Sequence, residues 1–259
     1  LIPNLHDPED FGVGAAVLTR AQEESGVTTT ISGWGNPALL SMPSAALVGS
    51  RQADGWGLAS LEAVATGLAS HQVCIVSGGA VGSDCVSHRA ALAAGGSTIV
   101  VVPCPLEEIN LATWRREWRV AWEPDRVLFL SPFRHGVRTR RSHPIIRNRL
   151  VAALGHALVA GVTSLSGGTN HTISEARRLH RPLYVLNTRS NDPRLRTAFQ
   201  TLQRQGCRLF TAEEALAPRF HAEISRAVLA EIHRLAVEMP TQLRFLEPAA
   251  TYQRAPKPP

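Results

Sequence analysis

The chain is short of lysine, cysteine and aromatic residues, and each shortage narrows what it can be. All but one of the 27 basic residues are arginine, the exception being Lys257. Arginine's planar fork suits phosphate, although a coding bias toward arginine explains the missing lysine at least as well. Four cysteines, at 74, 85, 104 and 207, are scattered without metal-ligand spacing or the density of a disulfide framework. Reduced thiols, no metal and a cytoplasmic location are expected, with Cys74 buried in its apolar run. No run approaches the roughly 18 apolar residues of a membrane span, and no signal-peptide pattern is visible, so no membrane partner is expected. Neither the Gly-Lys-Ser/Thr core of a Walker loop nor a GxGxxG fingerprint occurs, so no nucleotide cofactor is expected. Aromatics make up only 5% of the chain, which leaves little surface for stacking. No internal repeat is present.

What remains is an ordinary globular composition: 259 residues, 44% hydrophobic and 19% charged, with a formal net charge of +6. A positive balance favours an acidic partner and says nothing about fold. Apolar runs at 45–49, 73–77, 98–102, 127–131, 156–161 and 183–187 read as strands, with a shorter one at 27–31 and another at 207–210. Residues 33–43, rich in Gly and Pro, read as a loop. Helical patterns fall at 56–70, 83–94, 107–119, 145–154, 170–180, 193–205, 211–217 and 220–238. Strands alternating with helices of this length predict βαβ units and an α/β fold, an open, mostly parallel sheet with helices on both faces. Residues 1–26 are expected to be a short N-terminal segment, 27–218 the domain, 219–239 a C-terminal helix and 240–259 a flexible, Pro-rich tail. The last helix carries Ile224, Val228, Leu229, Ile232 and Leu235 on one stripe.

Three glycine-rich turns follow strands. The first is Gly49-Ser50-Arg51; the second runs from Ser77 through Gly78, Gly79 and Gly82 to Asp84; the third is Ser166-Gly167-Gly168. Glycines at the carboxyl end of a parallel strand let a ligand approach the backbone, beside helix N-termini that favour anions. Ser83 is expected to cap the second helix, and Asp84 to complement its dipole. His88, four residues on, is expected to hydrogen-bond Asp84 rather than join a metal site. From Arg126 to Ser174 there is no Asp or Glu, while arginines stand at 126, 134, 138, 140, 141, 147 and 149. An acid-free stretch of that length points to a polyanion; a basic loop answering acids elsewhere in the fold is the alternative. Phe133 and His135 are candidates for a small base-stacking surface.

The ordered set Gly35–Leu40, Ala46–Arg51, Ser77–Asp84 with His88, Ala94–Thr98, Pro144–Leu150, Ser166–Gly168 with Thr172, and Leu202–Phe210 resembles the DNA-processing protein A family over residues 33–216. The resemblance implies an extended Rossmann-like fold, single-stranded DNA as ligand, a homodimer, a RecA-type recombinase as partner, roles in DNA uptake, recombination or transformation, and no enzymatic activity. It puts Arg51, Gly78, Gly79, Gly82, Arg147 and Arg149 in a phosphate- and DNA-binding pocket whose shape Asn148 holds. Gly49, Ser50, Ser77, Arg140, Arg141, Ser166, Gly167 and Gly168 complete the candidate set. The chain departs from the family at Ser83, where isoleucine is usual, at Ala160–Thr163, where an acidic residue is usual, and at Asn187-Thr188, where Pro-Gly is usual. The alternative is a nucleotide-binding enzyme or sensor similar to the cytokinin-activating phosphoribohydrolases. There Gly167-Gly168, Thr172 and Glu175 would stand in for that family's catalytic turn, with Glu175 as the acid and Arg147 on the monophosphate.

Overall fold

The computed structural model describes residues 4–5, 8–119, 123–161, 167–187 and 193–238. In chain order the strands are β1 Asn4–Leu5, β2 Ser32–Gly35, β3 Ser44–Val48, β4 Cys74–Ser77, β5 Thr98–Val101, β6 Val127–Ser131, β7 Ala157–Ala160, β8 Leu183–Leu186 and β9 Arg208–Phe210. The helices are α1 Ala15–Ser25, α2 Gly55–Ser70, α3 Ser83–Ala93, α4 Leu111–Trp118, α5 His143–Leu154, α6 Gly168–Arg178, α7 Pro193–Arg204, α8 Ala212–Ala215 and α9 Pro218–Glu238.

The strands form one sheet in the order β1-β2-β6-β5-β4-β3-β7-β8-β9. From β6 to β9 every pairing is parallel; β1 and β2 close one edge antiparallel. The chain steps outward from β3 to β6, then returns to place β7 on the other side of β3. That reversal opens a crevice at the carboxyl ends of β3 and β7, where open parallel sheets take their ligands.

Strand residues alternate between two cores, as the two-residue period requires. Ala46, Val48, Val76, Ile99, Val101, Leu158 and Val185 meet α1, α5, α6 and α7. Ala45, Leu47, Ile75, Val159, Tyr184 and Phe210 meet α2, α3 and α9. Val100, Val127 and Phe129 form a third cluster with Trp118 of α4. With both faces covered, the central strands are buried along their whole length, which is why they read as continuous apolar runs. Cys74 is among the buried residues, and all four cysteines are unpaired thiols.

Three local expectations need correction. The strand expected at 27–31 lies instead at Ser32–Gly35, overlapping the start of the stretch at 33–43 read as a loop. Val27 and Ile31 are buried but unpaired, while Gly35 (φ 120°) crosses so close to β6 that a Cβ there would sit 2.0 Å from the Val127 carbonyl. The helix expected over 107–119 is broken: a 3-10 turn spans Leu106–Glu108, then Asn110 caps α4 by accepting the Thr113 N–H at 3.1 Å. On α9, Leu229 faces solvent, and the buried positions are Phe220, His221, Ile224, Val228, Leu235 and, unexpectedly, Glu231. The tail at 240–259 lies outside the described residues.

Candidate functional site

The turns after β3 and β4 interlock at the crevice. The Ser50 carbonyl accepts both the N–H and the hydroxyl of Ser83, at 3.4 and 3.0 Å. Ser83 therefore braces the neighbouring turn, while the N-cap position of α3 belongs to Gly82. Gly49 and Gly82 permit this contact. A Cβ on Gly49 would meet the Ser83 hydroxyl at 2.4 Å, and one on Gly82 (φ 90°) would meet the Arg51 and Ser50 carbonyls at 2.8 and 2.9 Å. Arg51 projects from this junction into solvent, and among the described residues no carboxylate pairs with it.

Arg147 comes up beneath the second turn from α5. Its guanidinium lies so close behind Gly78 that a Cβ there would fall 1.3 Å from Nη1. Nη1 donates to the Val101 carbonyl at 3.1 Å and stands 3.9 Å from Asp84 Oδ2; Nε is buried without a partner. Asp84 in turn accepts the Ala80 N–H at 3.2 Å, which holds the turn closed over α3. Burial pushes the Asp84 carboxyl up and Arg147 is the opposing influence. Burial likewise pulls Arg147 down, with Asp84 opposing and the positive charge of Arg51 adding to the fall. Two cations, the buried Arg147 and the exposed Arg51, thus lie near enough to repel each other, and Asp84 is the acid that opposes them. An anion entering there would relieve the repulsion between them.

The remaining candidates divide. Asn148 reaches across to α6 and donates to the Gly168 carbonyl at 3.1 Å, fixing the start of that helix beside α5. Gly167 (φ 120°) leads into it, and Thr172 donates to the same carbonyl at 2.9 Å. Ser166 lies outside the described residues. Ser77 is turned inward: it is buried, and its hydroxyl donates to the Leu47 carbonyl at 2.5 Å, bracing β4 to β3. Arg140 and Arg141 are exposed in the turn that opens α5 and meet no carboxylate among the described residues.

Arg149 is not brought to the recess. Two residues along a helix rotate the side chain by about 200°, so Arg149 faces α6, where Nε lies 3.7 Å from Glu175. Glu175 also accepts from Arg178 at 2.9 Å and lies 3.9 Å from His171. Seven residues into α6, about 10 Å along its axis from Gly168, it joins two helices and does not face the turn. Phe133 is buried and stacked on His143, with ring centroids 3.8 Å apart, so no base can reach it. His135 is tied to Glu107 at 2.8 Å, and Thr139 to Glu108 at 2.8 Å, so acids of another segment do anchor part of the basic loop. His88 points away from Asp84: its Nδ1 lies 2.6 Å from the Thr98 hydroxyl and its ring stacks on Trp118. The Asp84–Arg147 pairing was invisible in sequence, since nothing local links positions so far apart.

The sequence model of the family described as DNA recombination-mediator protein A matches residues 15–221. A Mycobacterium tuberculosis protein carrying the DNA processing protein DprA name is 38% identical over 144 residues, 53% of this chain and 35% of its own length. DNA processing protein DprA of Streptococcus pneumoniae is 32% identical over 152 residues, 59% of this chain and 53% of its own length. The chain therefore spans between about a third and a half of these curated relatives. The X-ray structure of DNA processing protein A from S. pneumoniae superposes with a TM-score of 0.63 at 29% identity, over 78% of this chain and 65% of that one. The Helicobacter pylori protein, whose single-stranded DNA binding mode was solved, superposes at 0.64 and 24% identity over 76% and 87%, which bears on the fold.

Proposed function

The chain belongs to the DNA recombination-mediator protein A family, and from that premise we propose that it binds single-stranded DNA through the phosphate backbone, without chemical turnover. The observation that carries this is the recess between the first two turns. Arg147 waits behind Gly78 with a nitrogen unpartnered, Arg51 is exposed on the preceding turn, and among the described residues Asp84 is the acid that pairs with Arg147. The glycines at 49, 78 and 82 let Ser83, the Arg147 guanidinium and the Ser50 and Arg51 carbonyls press against the turns, so the buried Arg147 charge lies directly behind the backbone that a phosphate would approach. A flexible single strand can lower one phosphate into such a recess, whereas a duplex holds its phosphates on a stiff outer surface. Arg140 and Arg141 extend the positive track beyond it.

The alternative reading as a nucleotide N-glycosidase needs a free carboxylic acid at the third turn. Glu175 is instead engaged by Arg149, Arg178 and His171. The finer parts of the proposal are a homodimer as the working unit and delivery of the coated strand to a RecA-type recombinase in uptake or recombination. Support for them is family membership alone.

Titration of a labelled single strand and its duplex at several salt concentrations tests the core claim. Tighter binding of the single strand is expected, with affinity falling steeply as salt rises, and lost in Arg51→Ala and Arg147→Ala. Equal binding of the duplex, or salt-independent binding, sinks it.

A further inference from the structure

Three of the four tryptophans in the described residues belong to the interior: Trp118 is buried, and Trp34 and Trp114 pack on the same cluster. Trp56 does not. It is 71% exposed in the first turn of α2, with no ring contact to another residue among those described. Val81, in the turn after β4, is 73% exposed.

Both belong to the segments that follow β3 and β4, the turns that carry Arg51 and Gly78. Trp56 follows Arg51 by five residues, on a helix whose start is fixed by Asp54 accepting the Gly57 N–H at 2.7 Å. The Asp54 carboxylate is thereby engaged as the cap. Val81 immediately precedes Gly82, the residue pressed against the Ser50 and Arg51 carbonyls. Since β3 and β4 are paired in parallel, the two turns are neighbours on one edge. The same edge of the sheet thus carries an exposed aromatic ring five residues from Arg51, a cation with no carboxylate partner among the described residues. The ligand complementary to that pairing has an anionic backbone and a free aromatic face at nucleotide spacing. An unpaired base in a single strand has such a face; a base inside a duplex has both faces covered.

We propose that Trp56 is the platform on which one unpaired base stacks when the adjoining phosphate meets Arg51 and Arg147, with the exposed Val81 on the neighbouring turn. The platform rests on the phosphate reading above. It accepts any base, because every base presents a π-face, and it would add to the preference for single strands proposed above. With Phe133 buried, it also restores a stacking surface in a different place.

The experiment compares an oligothymidylate with an abasic strand of the same length and charge, at one salt concentration. The wild type is expected to bind the oligothymidylate roughly tenfold tighter, the range of one stacked base. Trp56→Ala should lose that preference and keep its affinity for the abasic strand; Trp56→Phe should retain most of it. An unchanged ratio in Trp56→Ala, with both strands still bound, overturns the platform and leaves the phosphate recess standing. If Arg147→Ala binds both strands as the wild type does, or if the wild type binds neither, the recess itself falls and the platform with it.

Discussion

Arginines sit at both ends of the sheet, and the two groups are used in opposite ways. At the amino ends of the strands Arg181 is buried, donating to Glu231 at 2.6 Å, to Glu24 at 2.5 Å and to the Ala153 carbonyl at 3.3 Å. Arg234 donates to Glu231 at 2.6 Å and to Glu238 at 2.7 Å, and Arg20 lies 3.6 Å from Glu24. Each cation there meets a carboxylate, and the network ties α1 and α9, helices from opposite faces, around the edge of the sheet. At the carboxyl ends, Arg51, Arg140 and Arg141 meet no carboxylate among the described residues, and Arg147 has only Asp84 at 3.9 Å. The residue type is the same; the supply of acids decides whether it builds the fold or waits for a ligand.

The sharpest way to break this contrast is to remove one cation from each end. Arg181→Ala strips the buried Glu231 of one of its two arginines, leaving Arg234, and removes the cation beside Glu24; the expected cost is about 3 kcal/mol, the low end for breaking a buried pair. Urea unfolding should register that loss, while the folded protein binds single strands as before. Arg147→Ala should instead strike binding by the folded protein. Binding falls about tenfold to a hundredfold, the range for a charge-assisted hydrogen bond of about 1.5–3 kcal/mol. Removing Arg147 also costs stability, since it is buried on the Val101 carbonyl beside Asp84, so the two variants are compared by the strand binding of the folded protein. A large stability loss in Arg147→Ala with binding intact would erase the distinction between the two ends.

Acid sharpens the same contrast. Burial pulls His88 and His156 down to about 3. His156 lies 2.8 Å from the Ser44 hydroxyl at the start of β3, and His88 lies 2.6 Å from Thr98 at the start of β5. Both belong to the amino half. A depressed folded-state value means the unfolded chain binds the extra protons. Stability is therefore complete above about pH 6.5 and falls as pH drops toward 3. The slope reaches about 1.4 kcal/mol per pH unit for each histidine. Unfolding free energies measured from pH 7 to pH 4 should show it, and His156→Gln should halve the slope. Arginines do not titrate in this range, so strand binding by the folded protein should not weaken alongside.

Much of this was legible in the sequence because it is local. The six central strands announce themselves as apolar runs, since a sheet covered on both faces has no polar positions to alternate with. The glycine turns after β3 and β4 are legible for a similar reason: a strand ending in small residues before a helix has few other uses. What failed was non-local. β2 exists because β6 needs an edge partner that its glycines allow to come close, not because its own residues favour extension. Ser77 lies in the right turn but faces the sheet, and only the pairing of β4 with β3 decides that. Arg149 was misplaced for a reason the sequence does contain, since alternate residues on a helix point apart. The acid-free stretch was half informative: Glu107, Glu108 and Glu175 come back to part of it through space.

That partial return of acids yields the smallest expected effect and the finest test of the comparison. If unpaired arginines at the carboxyl end track a phosphate backbone, each should add its own counterion release. Arg140→Ala and Arg141→Ala should then each lower the slope of log affinity against log salt by about one, with a few-fold loss in affinity. Arg149→Ala, removing a cation already engaged by Glu175, should leave the slope almost unchanged. Equal slope changes in all three variants would mean that net charge, rather than pairing, governs binding, and the two ends of the sheet would differ only in degree.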